Sequence, residues 1–218
     1  MKPGNLLVVL ISLGMMLCVL FPQGQYAHTG AFTADSSTLK NPLKIKVLAA
    51  KSVADFVPPG YAILFQTSCN LNLDSITDKI ILLHKMGDDT FTYEPSMDKR
   101  ILLLLYGQAD QSFKLALQHS KLIYYYGYDL NFKEAFVDIS CKPGQFTISH
   151  YGGFAERWGR STTFNYNAAD AKWYLIEDAY TTFQAIDEAH TLKEEIRTPK
   201  EFGKVLIDSF DIYKTGKY

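Results

Sequence analysis

Past residue 60 the chain alternates short apolar runs with polar turns, and the runs have the length of strands. Residues 61–67 (YAILFQT) and 79–85 (KIILLHK) flank a polar loop. Residues 100–106 (RILLLLY) are unbroken by polar positions after Arg100, the pattern of a strand covered on both faces. Residues 112–118 (SFKLALQ) put Phe113, Leu115 and Leu117 on one side, and 122–126 (LIYYY) read as a further strand. Residues 136–141 and 145–151 are separated by Lys142-Pro143-Gly144, a hairpin turn. Residues 161–166 (STTFNY) and 172–177 (KWYLIE) make another pair. Strands recurring without helical segments between them predict antiparallel sheets joined by hairpins, not βαβ units.

Helical signals sit only at the ends of this stretch. Residues 43–56 have apolar positions at mixed spacing, closed by Pro58, Pro59 and Gly60, and predict a short helix over 49–56. Thr198 is a candidate N-cap, Pro199 suits the first helical position and Glu201 completes a capping box. Phe202, Val205, Leu206, Ser209 and Phe210 then share a stripe, which predicts an amphipathic helix over 199–210 packed on its own domain. The charged stretch 187–197 reads as a solvated loop or short helix. The expected fold is mainly β, sandwich-like or propeller-like, with a short N-terminal helix, a C-terminal amphipathic helix and a single domain over 43–218.

The first 27 residues change where that domain is expected to work. Lys2 precedes a charge-free run at 6–20 (LLVVLISLGMMLCVL), which is broken by Pro22, Gln23 and Gly24, and Ala27 offers a small residue for cleavage. The run is shorter than the ~20 residues of a membrane span and reads as an export signal. Residues 28–42, rich in Thr, Ser and Ala, read as a flexible leader. A periplasmic or secreted protein, with no stable membrane span after cleavage, is the expectation. Twenty-two basic residues against 23 acidic give a net charge of −1, without the one-sided basic surface that nucleic-acid binding needs. Cys18 lies inside the signal without the small residues that lipid anchoring requires before it. Cys69 and Cys141 are then either a disulfide, as an oxidising compartment allows, or two buried thiols.

The polar loop carries the first candidate chemistry. Asn70, Asn72, Asp74 and Asp78 stand at positions 1, 3, 5 and 9, a spacing that can bring hard oxygens around one calcium ion. Asn in place of the first carboxylate and Ser75 in the usual Gly place weaken such a site, so no cofactor is expected unless this loop holds a weakly bound calcium. The same spacing also suits a polar turn with Asx hydrogen bonds. Residues 61–83 (YAILFQTSCNLNLDSITDKIILL) resemble a degenerate FG-GAP or VCBS-type unit. Residues 146–175 (FTISHYGGFAERWGRSTTFNYNAADAKWYL) are similar to a group of exported bacterial proteins in which that loop is followed by an F-T-I-x-H-Y-G-G segment and a W-Y-L strand. Phe154, Glu156 and Cys69 depart from the pattern. The resemblance implies a β-rich exported domain, propeller-like or sandwich-like, and no particular activity.

The second candidate is residues 150–158 (HYGGFAERW), read as a two-glycine loop between strands. Such a loop can display His150, Tyr151, Glu156, Arg157 and Trp158 as a ligand-binding surface, with aromatic faces for stacking and charges for polar groups. The alternative is structural: a glycine bulge, Trp158 in the core and Arg157 paired. Catalytic readings are thinner. Cys141 with His150 could form a thiol and its base only if no disulfide consumes the thiol, and Glu156 with Glu177 or Asp178 could form a glycosidase pair. The histidines have no metal-ligand spacing, and none of the common nucleotide, hydrolase or zinc-protease motifs occurs. The expected function is therefore a non-catalytic binding or structural protein of the cell envelope that recognises a protein or a glycan. An inhibitor of a wall-degrading enzyme is one concrete version, and a hydrolase of envelope carbohydrate is the alternative.

Overall fold

Two antiparallel sheets lie face to face. The structure, a computed structural model, describes residues 43–88, 100–129 and 131–214. The expected signal (1–27) and leader (28–42) lie outside the described residues. The first sheet contains β1 (Ala49–Ala50), β2 (Tyr61–Cys69), β3 (Asp78–Lys85), β4 (Arg100–Gly107) and β5 (Phe113–His119), in the order β1-β5-β4-β3-β2. The second contains β6 (Phe136–Lys142), β7 (Gln145–Gly153), β8 (Glu156–Asn167), β9 (Lys172–Gln184) and β10 (Lys193–Arg197), in the order β10-β9-β8-β7-β6. A short β11 (Val205–Leu206) also pairs with β9. Two single-turn α-helices, α1 (Glu188–Thr191) and α2 (Pro199–Phe202), and two 3-10 turns, Val53–Phe56 and Ile207–Ser209, complete the described elements. None of these helices is long and apolar enough to cross a membrane.

The apolar run of β4 is explained by burial on both sides. Leu102 and Leu104, with Ile80 and Leu82 of β3, face Ile139, Phe146, Ile148 and Phe164 of the second sheet. Ile101, Leu103 and Leu105, with Ile81 and Leu83, face outward and are covered by Ile45 and Phe56 from the segment before β2. An antiparallel sheet usually wets one face and so alternates polar with apolar residues. Here a second, smaller core removes the alternation. The Pro143-Gly144 turn joins β6 to β7 as expected, with Lys142 paired to Gln145 and Gly144 at φ 69°.

Four expected elements differ, each because long-range partners outbid local pattern. The short helix over 49–56 is a strand pair followed by one 3-10 turn, Val53–Phe56, capped by Ser52 and Asp55. The predicted strand at 122–126 is irregular. Leu122, Ile123 and Tyr124 are buried, but the Tyr124 N–H donates to His150 Nε2 and the Tyr125 N–H to Tyr213 Oη instead of a ladder. The C-terminal helix keeps its capping box, with Glu201 accepting from the Thr198 N–H at 2.7 Å, yet ends after one turn. Gly203 turns left-handed at φ 75°, and Val205–Leu206 then add to the free edge of β9. The stripe still packs on its own domain, since Val205 and Phe210 are in the core. Part of the charged stretch 187–197 is likewise a strand, β10, at the sheet edge.

Cys69 at the end of β2 and Cys141 at the end of β6 are bridged, with Cα atoms 6.4 Å apart. The bond ties one edge strand of the first sheet to one edge strand of the second. It closes a loop with a sequence separation of 72 residues, which corresponds to about 4 kcal/mol of lost chain entropy in the unfolded state. Cys69→Ser with Cys141→Ser should lower the unfolding free energy by roughly 2–5 kcal/mol in denaturant titrations. Adding reductant should lower wild-type stability and leave the double variant unchanged.

Candidate functional site

The second sheet is longer than the first. β8 has 12 residues and β9 has 13, against eight each in β3 and β4. At ~3.3 Å per residue the long strands overhang by roughly 13 Å. Register partners in a sheet point to the same side, so pairing shows which residues line the overhang. His150 pairs with Arg160, Arg160 with Tyr180 and Tyr180 with Glu195. Thr162 pairs with Asp178 and Asp178 with Arg197, while Gly152 pairs with Trp158 and Trp158 with Thr182. The same face carries Phe146, Phe164 and Leu175 further along, where the first sheet covers it. A register shift between Thr163 and Phe164 skips one β9 residue and keeps Asp178 and Leu175 on one side. The inner face is thus apolar under its partner sheet and polar-aromatic where the partner ends.

A cleft of about 330 Å³ opens there. Its floor is a buried ion pair: Arg160 Nε donates to Asp178 Oδ1 at 2.9 Å and Nη2 to Oδ2 at 3.0 Å. Arg160 Nη1 also donates to Tyr124 Oη at 3.0 Å and to the Ile212 carbonyl at 2.9 Å. Burial pushes the Tyr124 hydroxyl well above its ordinary range, against the Arg160 charge, so it stays protonated. Tyr128 stacks on Tyr124 with ring centroids 3.9 Å apart, and Trp158 stands edge-on to Tyr124 at 5.7 Å. Tyr128 and Tyr180 keep 39% and 41% of their surface open, although Tyr124 covers one face of the Tyr128 ring. Glu195 and Arg197 form the β10 wall and are themselves paired at 2.6 Å.

One carboxylate fastens this assembly. Asp129 accepts from the Asn131 and Phe132 N–H groups, from the Gly153 N–H and from Trp158 Nε1, all at 2.8–2.9 Å. Partial burial would raise its pKa, but these donors hold the carboxyl below the usual range. Gly152 is required beneath the indole, because a Cβ there would lie 2.5 Å from Trp158 Cζ2 and 2.7 Å from Asp129 Oδ2.

The five residues of the 150–158 segment do not form one displayed surface. The segment is mostly strand, with Gly153 paired to Arg157, so consecutive side chains go to opposite faces. Trp158 reaches the cleft and His150 lies beneath it, only 3% exposed. Glu156 is exposed at the start of β8, beside a second depression of about 270 Å³. Tyr151 and Arg157 are on the other face, where Arg157 sits 4.7 Å over the Phe132 ring and 6.0 Å from Tyr151. Tyr124, Tyr128, Arg160, Tyr180, Glu195 and Arg197 were not candidates from sequence. The only signal for them was the aromatic density of 122–128 (LIYYYGY).

In the polar loop, Asp78 is fully buried and accepts from the N–H groups of Leu71, Asn72 and Gly107. Asn72 Nδ2 donates to Asp74, and Asp74 Oδ1 accepts from the Ile76 N–H. The Asn70 carbonyl receives the Gly144 N–H at 2.9 Å and so anchors the β6–β7 turn. Ser75, in the usual Gly place, is left-handed at φ 72°. These are the bonds of an Asx-turn loop, and the function proposed below does not use a cation.

No family model, curated protein or solved structure matches the chain.

His150 gives the site a pH signature. Its Nε2 accepts from the Tyr124 N–H at 3.4 Å, and burial together with the Arg160 charge pushes its pKa down to about 3. The unfolded chain takes up this proton near pH 6.5 and the folded one does not, so stability is full above pH 6.5 and falls as pH drops toward 3. The expected slope is about 1.4 kcal/mol per pH unit within that window. His150→Gln keeps the acceptor and removes the titration. Its unfolding free energy should fall less than that of wild type between pH 6 and pH 4.

Proposed function

We propose that this chain is an exported, non-catalytic binding protein of the cell envelope that holds a protein or glycan ligand in the Tyr128–Tyr180 cleft. The supporting observation is how the cleft spends its charges. Each charged group named on its floor and β10 wall is bonded to an opposite charge beneath or beside exposed aromatic rings. Such groups are fixed hydrogen-bonding partners, and the rings supply stacking area at small entropic cost. The Cys69–Cys141 bridge supports an oxidising compartment.

The carbohydrate-hydrolase alternative is less well served. Glu177 is the register partner of Thr163. Thr163 lies far along β8 from Glu156, so the two carboxylates are separated by roughly 23 Å at ~3.3 Å per residue. Glycosidase pairs need ~5–10 Å. Asp178 is the register partner of Thr162, roughly 20 Å from Glu156 by the same measure, and both its oxygens accept from Arg160.

The test is capture of solubilised cell-envelope material, separated into protein and polysaccharide fractions, on the immobilised chain. Tyr128→Ala with Tyr180→Ala should retain wild-type circular dichroism and lose about tenfold or more in retained ligand. Equal retention by wild type and the double variant would remove the cleft as the binding site.

A further inference from the structure

We infer that the ligand is an uncharged, extended glycan lying along β9 and β10, an assignment that rests on the cleft reading above and narrows it. Charge balance is the first reason. Arg160 is joined to Asp178 through two hydrogen bonds, and Arg197 is held by Glu195. At the cleft, an anionic or cationic ligand would compete with one member of each pair for its partner. A sugar hydroxyl donates and accepts at once, so it can bond to both members of a pair without separating them. Tyr128 and Tyr180 line the cleft and are both partly exposed, which gives aromatic area on which the apolar C–H face of a pyranose can pack.

The layout along the strands is the second reason. The cleft face continues along β9 through Asp178, Tyr180, Thr182 and Gln184, and along β10 through Arg197, Glu195 and Lys193. From Asp178 to Gln184 this track is roughly 20 Å long. Its far end is the second depression, bordered by Glu156, Thr182, His190 and Lys193, polar side chains that extend the track beyond the paired charges. Two shallow depressions in file, of about 330 and 270 Å³, suit successive units of a chain better than one compact molecule.

The chain has two tryptophans, and Trp173 is buried in the core at 4% exposure, so a ligand-dependent fluorescence change reports on Trp158. The experiment titrates uncharged glucose, mannose and N-acetylglucosamine oligomers of graded length into the full chain, with acidic and basic peptides as comparators. At least one oligomer series should saturate, with affinity rising with length. Its Kd should change less than about twofold between low and high salt, because no charge is screened on binding. Tyr180→Ala should weaken every length by about tenfold, whereas Lys193→Gln should weaken only the longer oligomers. Absence of saturation by all three series overturns the inference, as does affinity independent of length. Binding of a charged peptide in their place, abolished by Tyr180→Ala, overturns the glycan assignment and leaves the cleft reading standing. Binding of any of these ligands undiminished by Tyr128→Ala and Tyr180→Ala overturns both.

Discussion

A sheet that outruns its partner cannot be finished with an apolar core, and most of this molecule follows from that mismatch. Where β3 and β4 cover β8 and β9, the inner face is Phe146, Ile148, Phe164 and Leu175. Beyond the cover, the same face changes to Trp158, Arg160, Asp178 and Tyr180. The segment at 121–129 and the C-terminal residues Ile212 and Tyr213 fold across part of the gap. They do so without regular structure, and their backbone groups are met by side chains: Tyr213 Oη accepts from the Tyr125 N–H and donates to the Ile123 carbonyl. Sandwich core and cleft are therefore one continuous surface, divided only by where the shorter sheet stops.

The Arg160–Asp178 pair is the costliest part of that arrangement. Desolvating two charges is repaid only when their remaining hydrogen-bonding capacity is met. Tyr124 Oη and the Ile212 carbonyl provide this for Nη1. The neighbouring His150 is neutral for the same electrostatic reason, since a second cation beside Arg160 in a buried site is unfavourable. The floor therefore consists of donors and acceptors already bonded to one another, which is the arrangement the proposed binding role draws on.

Features resting on local rules were legible in the sequence. The double-sided burial of β4 could be read from its leucines, the β6–β7 hairpin from Pro143-Gly144, and the capping box from Thr198 and Glu201. The bridge between Cys69 and Cys141 was one of two open alternatives, and geometry decided it. The cleft was not legible, because its partners are distant in sequence: Tyr124 meets Arg160 across 36 residues and Ile212 across 88. The segment 150–158 was misjudged for a related reason. Two glycines suggest a loop, but Gly152 and Gly153 are strand residues that make room for the Trp158 indole and the Glu156 carbonyl, so the alternation of a strand divides a surface that the sequence placed together.

The covalent stitch between Cys69 and Cys141 lies at one side of the sandwich. Cys69 and Cys141 fasten the layers along the β2–β6 margin, whereas β1 and β10 lie at the opposite ends of their sheets. A book bound along its spine opens at the fore-edge, and the cleft wall formed by Glu195 and Arg197 belongs to that unbound side. At the β2–β6 margin a covalent bond opposes separation of the layers, whereas the margin that carries Glu195 and Arg197 is held by noncovalent packing.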